Sequence, residues 1–161
     1  MFFGMPFDIL ALIVVFAILF SWLLYFGKSS GVSLFFALFA AYTFELLSPF
    51  QSFITEKLHY EKQSDTIALI IFLITTLLLF FIFRRLVSTV FSWSPMRRVF
   101  EAVLLALSII GFLLLAITPH METSFLTQYG KIISMFQAIP HILFYWILGS
   151  FAMLFLTSGR S

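Results

Sequence analysis

The chain contains no cysteine, which excludes a disulfide framework, a thiol nucleophile and a thiolate metal site and leaves the redox compartment without a signature. It is also short of charge. Only 10% of its 161 residues are Asp, Glu, Lys or Arg, against about 25% in an ordinary soluble domain. Nine basic and seven acidic residues leave a net charge of +2, too little for the basic footprint of a nucleic-acid binder. What the chain has instead is apolar surface, with 62% hydrophobic residues and 24 phenylalanines in all. A soluble monomer of this size has too high a ratio of surface to volume to hide that load. A soluble enzyme, a disordered linker and a nucleic-acid-binding domain are therefore disfavoured together, and an integral membrane protein is expected.

A hydrocarbon core of about 30 Å takes about 20 predominantly apolar residues in a helix. Five stretches approach this, at about 9–26, 32–48, 66–84, 99–118 and 138–156. None alternates apolar and polar residues with period two, so a β-barrel is not expected. The expected fold is all-α: one polytopic transmembrane helical bundle of four to five spans, with no repeat, linker or second domain. Pro140 and His141 at the start of the fifth stretch leave open a re-entrant or interfacial helix there. Three connecting segments carry apolar residues at helical spacing and read as short interfacial amphipathic helices: Phe50 to Leu58, Leu86 to Phe91 and Phe125 to Phe136. Ser94-Pro95 reads as the N-cap and first position of the fourth helix.

No Lys or Arg precedes the first stretch and no small-residue cleavage site follows it, so it reads as a span rather than a cleaved signal. With the N-terminus outside and five crossings, Lys28, Arg84, Arg85, Arg97, Arg98 and Arg160 fall on the cytoplasmic side, and Lys57, Lys62 and Lys131 on the outer side. Six against three follows the positive-inside rule. The expected location is a cell membrane, with the N-terminus outside and, if there are five spans, the C-terminus cytoplasmic. Arg84, Arg85, Arg97 and Arg98 are the topology anchors and meet anionic lipid heads. Glu101, three and four residues from Arg98 and Arg97, reads as a local ion pair.

Two motif matches fail on chemistry. Gly27-Lys28-Ser29 resembles the end of a phosphate loop, but Trp22 stands where the required glycine belongs and no strand precedes it. Gly27-x-Ser29-x-Gly31 fits the nucleophile-elbow pattern, yet His59, His120 and His141 all fall on the outer side, about a bilayer thickness from Ser29. Gly27 to Gly31 reads instead as a tight turn. No enzyme activity and no cofactor are expected.

Small residues give a better signal. Ser33, Ala37, Ala41 and Glu45 recur every four residues; Glu101, Ser108, Gly111 and Thr118 mark a comparable face, and so do His141, Tyr145, Gly149 and Met153. In lipid, helices associate by close backbone approach over such residues, so these stripes are expected to face one another. Glu45 lies inside a span, where a carboxylate is costly. With Asp8, Asp65, His120 and His141 it forms a candidate polar cluster in the outer half of the bundle. The plainer alternative, in which Glu45 snorkels or pairs locally, is preferred. No ligand pair in the group has the i, i+3 or i, i+4 spacing of helical metal sites, so no metal is expected.

From Phe7 to Thr118 the chain resembles the colicin V production protein family of small bacterial inner-membrane proteins. The likeness rests on Asp8-Ile9 opening the first span, the Gly27 to Gly31 turn, Ser33 and Ala40-Ala41-Tyr42, Leu47-Ser48, and Arg98-Val99 opening a fourth span that holds Gly111. The basic residue before the turn glycine is not reproduced, and the family's glycine-rich fourth opening is here Phe100-Glu101-Ala102. The resemblance implies a non-enzymatic scaffold or accessory of toxin export or envelope maintenance. Its expected partners are the bilayer and either further copies or another membrane protein. The alternative is a small oligomeric channel or transporter built on the cluster around Glu45.

Overall fold

The structure is a computed structural model that describes residues 7–47, 64–87, 94–118 and 141–158, without the side chains of residues 7, 8, 45, 47, 64–67, 115, 143 and 155–158. Among the described residues all regular structure is helical. The helices are α1 (Phe7–Phe26), α2 (Lys28–Leu47), α3 (Ser64–Leu86), α4 (Pro95–Ile117) and α5 (Ile142–Ser158). Each covers one of the apolar stretches, where long runs without internal proline let the backbone satisfy itself. Of the amphipathic segments expected between them, 50–58 and 125–136 lie outside the described residues, and only Leu86 and Val87 of the other lie within.

The first connection is tighter than its sequence suggests. Lys28 to Gly31 are the first turn of α2, and the reversal falls on Gly27 alone. Gly27 sits at φ +86°, a left-handed conformation open to glycine at little cost, and its N–H donates to the Leu23 carbonyl at 2.9 Å. The Ser30 hydroxyl donates to the Phe26 carbonyl at 3.2 Å, satisfying another acceptor left over at the end of α1. Gly31 is therefore a packing glycine rather than a turn glycine: a Cβ there would run into Leu23 of α1 and Leu105 of α4. At the start of α4, Ser94 is extended (φ −69°, ψ 122°) ahead of Pro95, but its hydroxyl makes no capping bond.

Contacts fix the helix directions. Ser29, near the start of α2, donates to the Val87 carbonyl just past the end of α3. Lys28 also meets Glu101 near the start of α4. Trp146, early in α5, lies on Gly111 in the middle of α4, whereas Met153 and Leu154 lie beside Lys28 and Glu101. The helices thus alternate in direction. The ends of α1, α3 and α5 gather with the starts of α2 and α4. Helix α2 is central, in contact with α1, α3 and α4, and the Phe151 ring of α5 reaches Phe35 and Phe39 at 5.7 and 5.6 Å. Fully buried Phe35 and Phe112 meet edge to face at 6.1 Å.

Among the described residues the interior mixes an apolar core around Phe35, Leu38, Ile109 and Phe112 with polar side chains, and many large apolar side chains face outward. Lys28, Ser30, Ser33, Thr76, Glu101, Ser108, Thr118 and Ser150 are buried, while Ile13, Ile18, Ile74, Leu77, Leu78 and Phe81 are exposed. Helix α3 turns the narrow stripe Ala68, Phe72, Thr76 inward and most of its larger apolar residues outward. Two helices are long and apolar enough to cross a membrane, Ile9–Phe26 and Ala68–Leu86, with 6% and 17% of those residues buried. The core helix of a soluble protein would be mostly buried. Phe144–Leu154 is a shorter apolar stretch.

Candidate functional site

The most distinctive chemistry lies where α1 ends and α2 and α4 begin. Lys28 and Glu101 are 5% and 4% exposed, and Lys28 Nζ donates to Glu101 Oε2 at 3.1 Å. The other carboxylate oxygen, Oε1, lies 3.2 Å from Arg97 Nε in an ion pair, one helical turn away. Both oxygens of one buried carboxylate are thus used, each by a different helix. Burying two charges costs several kcal/mol per ion, of order, unless geometry and hydrogen bonds return it. This pair meets that condition through its two cations. It is helped by the positive ends of α2 and α4, which favour a carboxylate, and by the C-terminal carbonyls of α1, which favour Lys28.

The surrounding polar groups also find partners. Ser33 donates to the Ser29 carbonyl at 2.7 Å and Ser108 to the Leu104 carbonyl at 3.0 Å, hydroxyl-to-backbone bonds that keep polar side chains satisfied inside a helix. Lys28, Glu101, Ser108 and Ser150 line a cavity with Leu104, Leu105, Met153 and Leu154, of about 10 Å³. That is room for about one water molecule with polar partners. Above it the Trp146 indole donates to the Ser108 carbonyl at 3.1 Å, and its ring occupies the space that a side chain at position 111 would fill. The Thr76 hydroxyl is buried without a partner among the described residues.

The four arginines expected as anchors lie at this same end and make distinct contacts. Arg97 is committed to Glu101. Arg98 Nη2 donates to the Leu24 carbonyl at 2.9 Å, capping α1 from a neighbouring helix. The Arg84 guanidinium lies 5.9 Å from the Phe26 ring centre, within cation–π range, and Arg85 beside it is exposed. The expected ion pair of Glu101 with Arg97 is present, but Lys28, 73 residues away in sequence, is its buried partner. A lysine wedged between Gly27 and two serines at the edge of an apolar run was the available signal, since a charge at such a position needs a partner.

The outer-cluster residues are less defined. The helix directions place the backbones of Asp8, Glu45, Asp65 and His141 at the opposite end. The side chains of Asp8, Glu45 and Asp65, and all of His120, lie outside the described residues. His141 is exposed at φ 59° just before α5. Among the described residues no group of three or more His, Cys, Asp or Glu gathers as a metal would require. Of the packing residues, Ser33, Ala37, Ala41, Ser108 and Gly111 are buried. Gly149 is a correction: it is exposed with nothing within 4 Å of an added Cβ, and Tyr145 beside it is also exposed. Helix α5 instead turns Trp146, Ser150, Phe151 and Leu154 inward. Its residues are apolar all round, so the spacing of one glycine does not determine which face is covered. No family model, curated protein or solved structure matches the chain.

Proposed function

We propose that the chain is an integral membrane protein whose helices form a bundle of four to five spans, with the Lys28–Arg98 end at the cytoplasmic face. It serves as a non-enzymatic scaffold or accessory component, acting with further copies or another membrane protein. The observation that supports this is the burial of polar side chains together with outward-facing apolar ones. A lysine, a glutamate and six Ser or Thr residues are buried, whereas the outward faces of α1 and α3 carry many exposed Ile, Leu, Val and Phe residues. Water penalises that arrangement, because monomers rarely expose apolar patches beyond a few hundred Å². Lipid favours it, since polar groups then find partners only inside.

The role in toxin export or envelope maintenance is carried over from the resemblance to the colicin V production family. The asymmetric placement of charge supports the orientation: every basic side chain described belongs to the end with Glu101, and Asp8, Glu45 and Asp65 belong to helix ends on the other side. Reconstitution into sealed vesicles tests the scaffold reading. It predicts proton and ion leakage no faster than through protein-free vesicles; leakage that Glu45→Gln or Glu101→Gln abolishes would replace it with a channel. Purification in mild detergent should bring down a discrete membrane partner or a defined multiple of the chain, and a strict monomer with no partner would count against it.

A further inference from the structure

We propose that the basic end of the bundle is a seat for the phosphate of an anionic phospholipid, held by Arg84 and Arg85 of α3, with Arg98 of α4 at the same α1 terminus. The inference rests on the membrane reading above and goes beyond it in naming a ligand. Its first support is charge. Among the described side chains this end carries five cations and one carboxylate, Glu101, and both oxygens of Glu101 are taken by Lys28 and Arg97. That carboxylate therefore does nothing for Arg84 and Arg85, which are exposed.

The second support is position. Arg84 lies against the Phe26 ring and Arg98 against the Leu24 carbonyl, so two guanidinium groups from different helices both meet the last turn of α1. Tyr25, in the same turn, is 84% exposed. An exposed tyrosine beside arginines marks headgroup depth, where aromatic residues gather. A guanidinium presents a planar fork of N–H donors that fits two phosphate oxygens at once. A lipid phosphate arrives at this depth already tethered, which favours it over a phosphate free in water.

The test uses the full chain in nanodiscs of equal parts phosphatidylcholine and phosphatidylglycerol, with retained lipid counted by mass spectrometry after detergent washing. Phosphatidylglycerol should be enriched over phosphatidylcholine, and Arg84→Gln with Arg85→Gln should lower that enrichment by about fivefold per arginine. The corresponding lysine pair should retain part of it. Arg85→Gln alone, at an exposed position, gives the single step without risk to the fold, and the thermal midpoint in pure phosphatidylcholine should not move. Equal retention of the two lipids, or enrichment unchanged in the variants, would overturn the proposal while leaving the membrane reading intact. Release of the bound lipid by inorganic phosphate alone would make this a soluble-anion site and overturn it too. A chain that never enters the disc would take both readings down.

Discussion

At the scale of single residues the structure turns on Glu101. Its carboxylate is 3.1 Å from Lys28 and 3.2 Å from Arg97, and removing it would leave Lys28 charged and buried. Glu101→Leu should therefore destabilise the fold by about 3–5 kcal/mol, measured by unfolding in mixed micelles. Lys28→Met together with Glu101→Leu should recover most of that loss, because two apolar residues no longer need each other. A double variant as unstable as the single one would show that the pair is not what holds this end. The glycines separate as cleanly. Gly111→Ala drives a methyl into the Trp146 ring and should cost about 1–3 kcal/mol. Gly149→Ala meets open space and should be neutral or stabilising by up to about 1 kcal/mol through helix propensity. Equal thermal shifts for the two would contradict the packing of α5 on α4.

At the scale of elements, the helices were legible because each is a long apolar run bounded by charge, glycine or proline. What those runs could not reveal was which face each helix buries. In α1, α3 and α5 apolar residues surround the axis, so no period distinguishes the covered side, and the expected stripe through Gly149 was misplaced for that reason. In α2 and α4 small and polar residues break the uniformity, and Ser33, Ala37, Ala41, Ser108 and Gly111 were recognisable as candidates. The Lys28–Glu101 pair was hidden differently. Two residues so far apart in sequence meet only once the helix directions are set, and Arg97 offered Glu101 a local partner sufficient to explain it. The turn was overestimated because glycine and serine serve both turns and close-packed helix starts. Gly27 bears the reversal alone, so Gly27→Ala should cost about 1–2 kcal/mol from its left-handed backbone. A thermal midpoint unchanged by that substitution would place the reversal elsewhere.

At the scale of the whole molecule one property organises the rest: among the described residues, polar and charged side chains share the interior with an aromatic core while the outward faces of α1 and α3 are apolar. Helix α2, with its lysine and serines, is at the centre, and α1 with its isoleucines and valines is at the rim. Hydrophobic burial in water drives the opposite arrangement. In a bilayer the bundle is held instead by close contact over small residues, by ring packing around Phe35 and Phe112, and by the buried Lys28–Glu101 pair. On the proposed membrane reading, the gathering of Lys28 and the four arginines at one end sets the direction of the bundle across the bilayer.

The absence of native cysteine makes the decisive measurement simple. Single cysteines at Ile18→Cys and Leu78→Cys, on residues 63% and 61% exposed, are compared with Arg85→Cys at the basic end, using a water-soluble maleimide on the chain in native vesicles opened to the reagent on both faces. If lipid covers the apolar surface, positions 18 and 78 stay unlabelled until the membrane is dissolved in a denaturing detergent, while position 85 reacts at once. Labelling of positions 18 and 78 as fast as position 85 would mean that water reaches that surface, and would contradict the account.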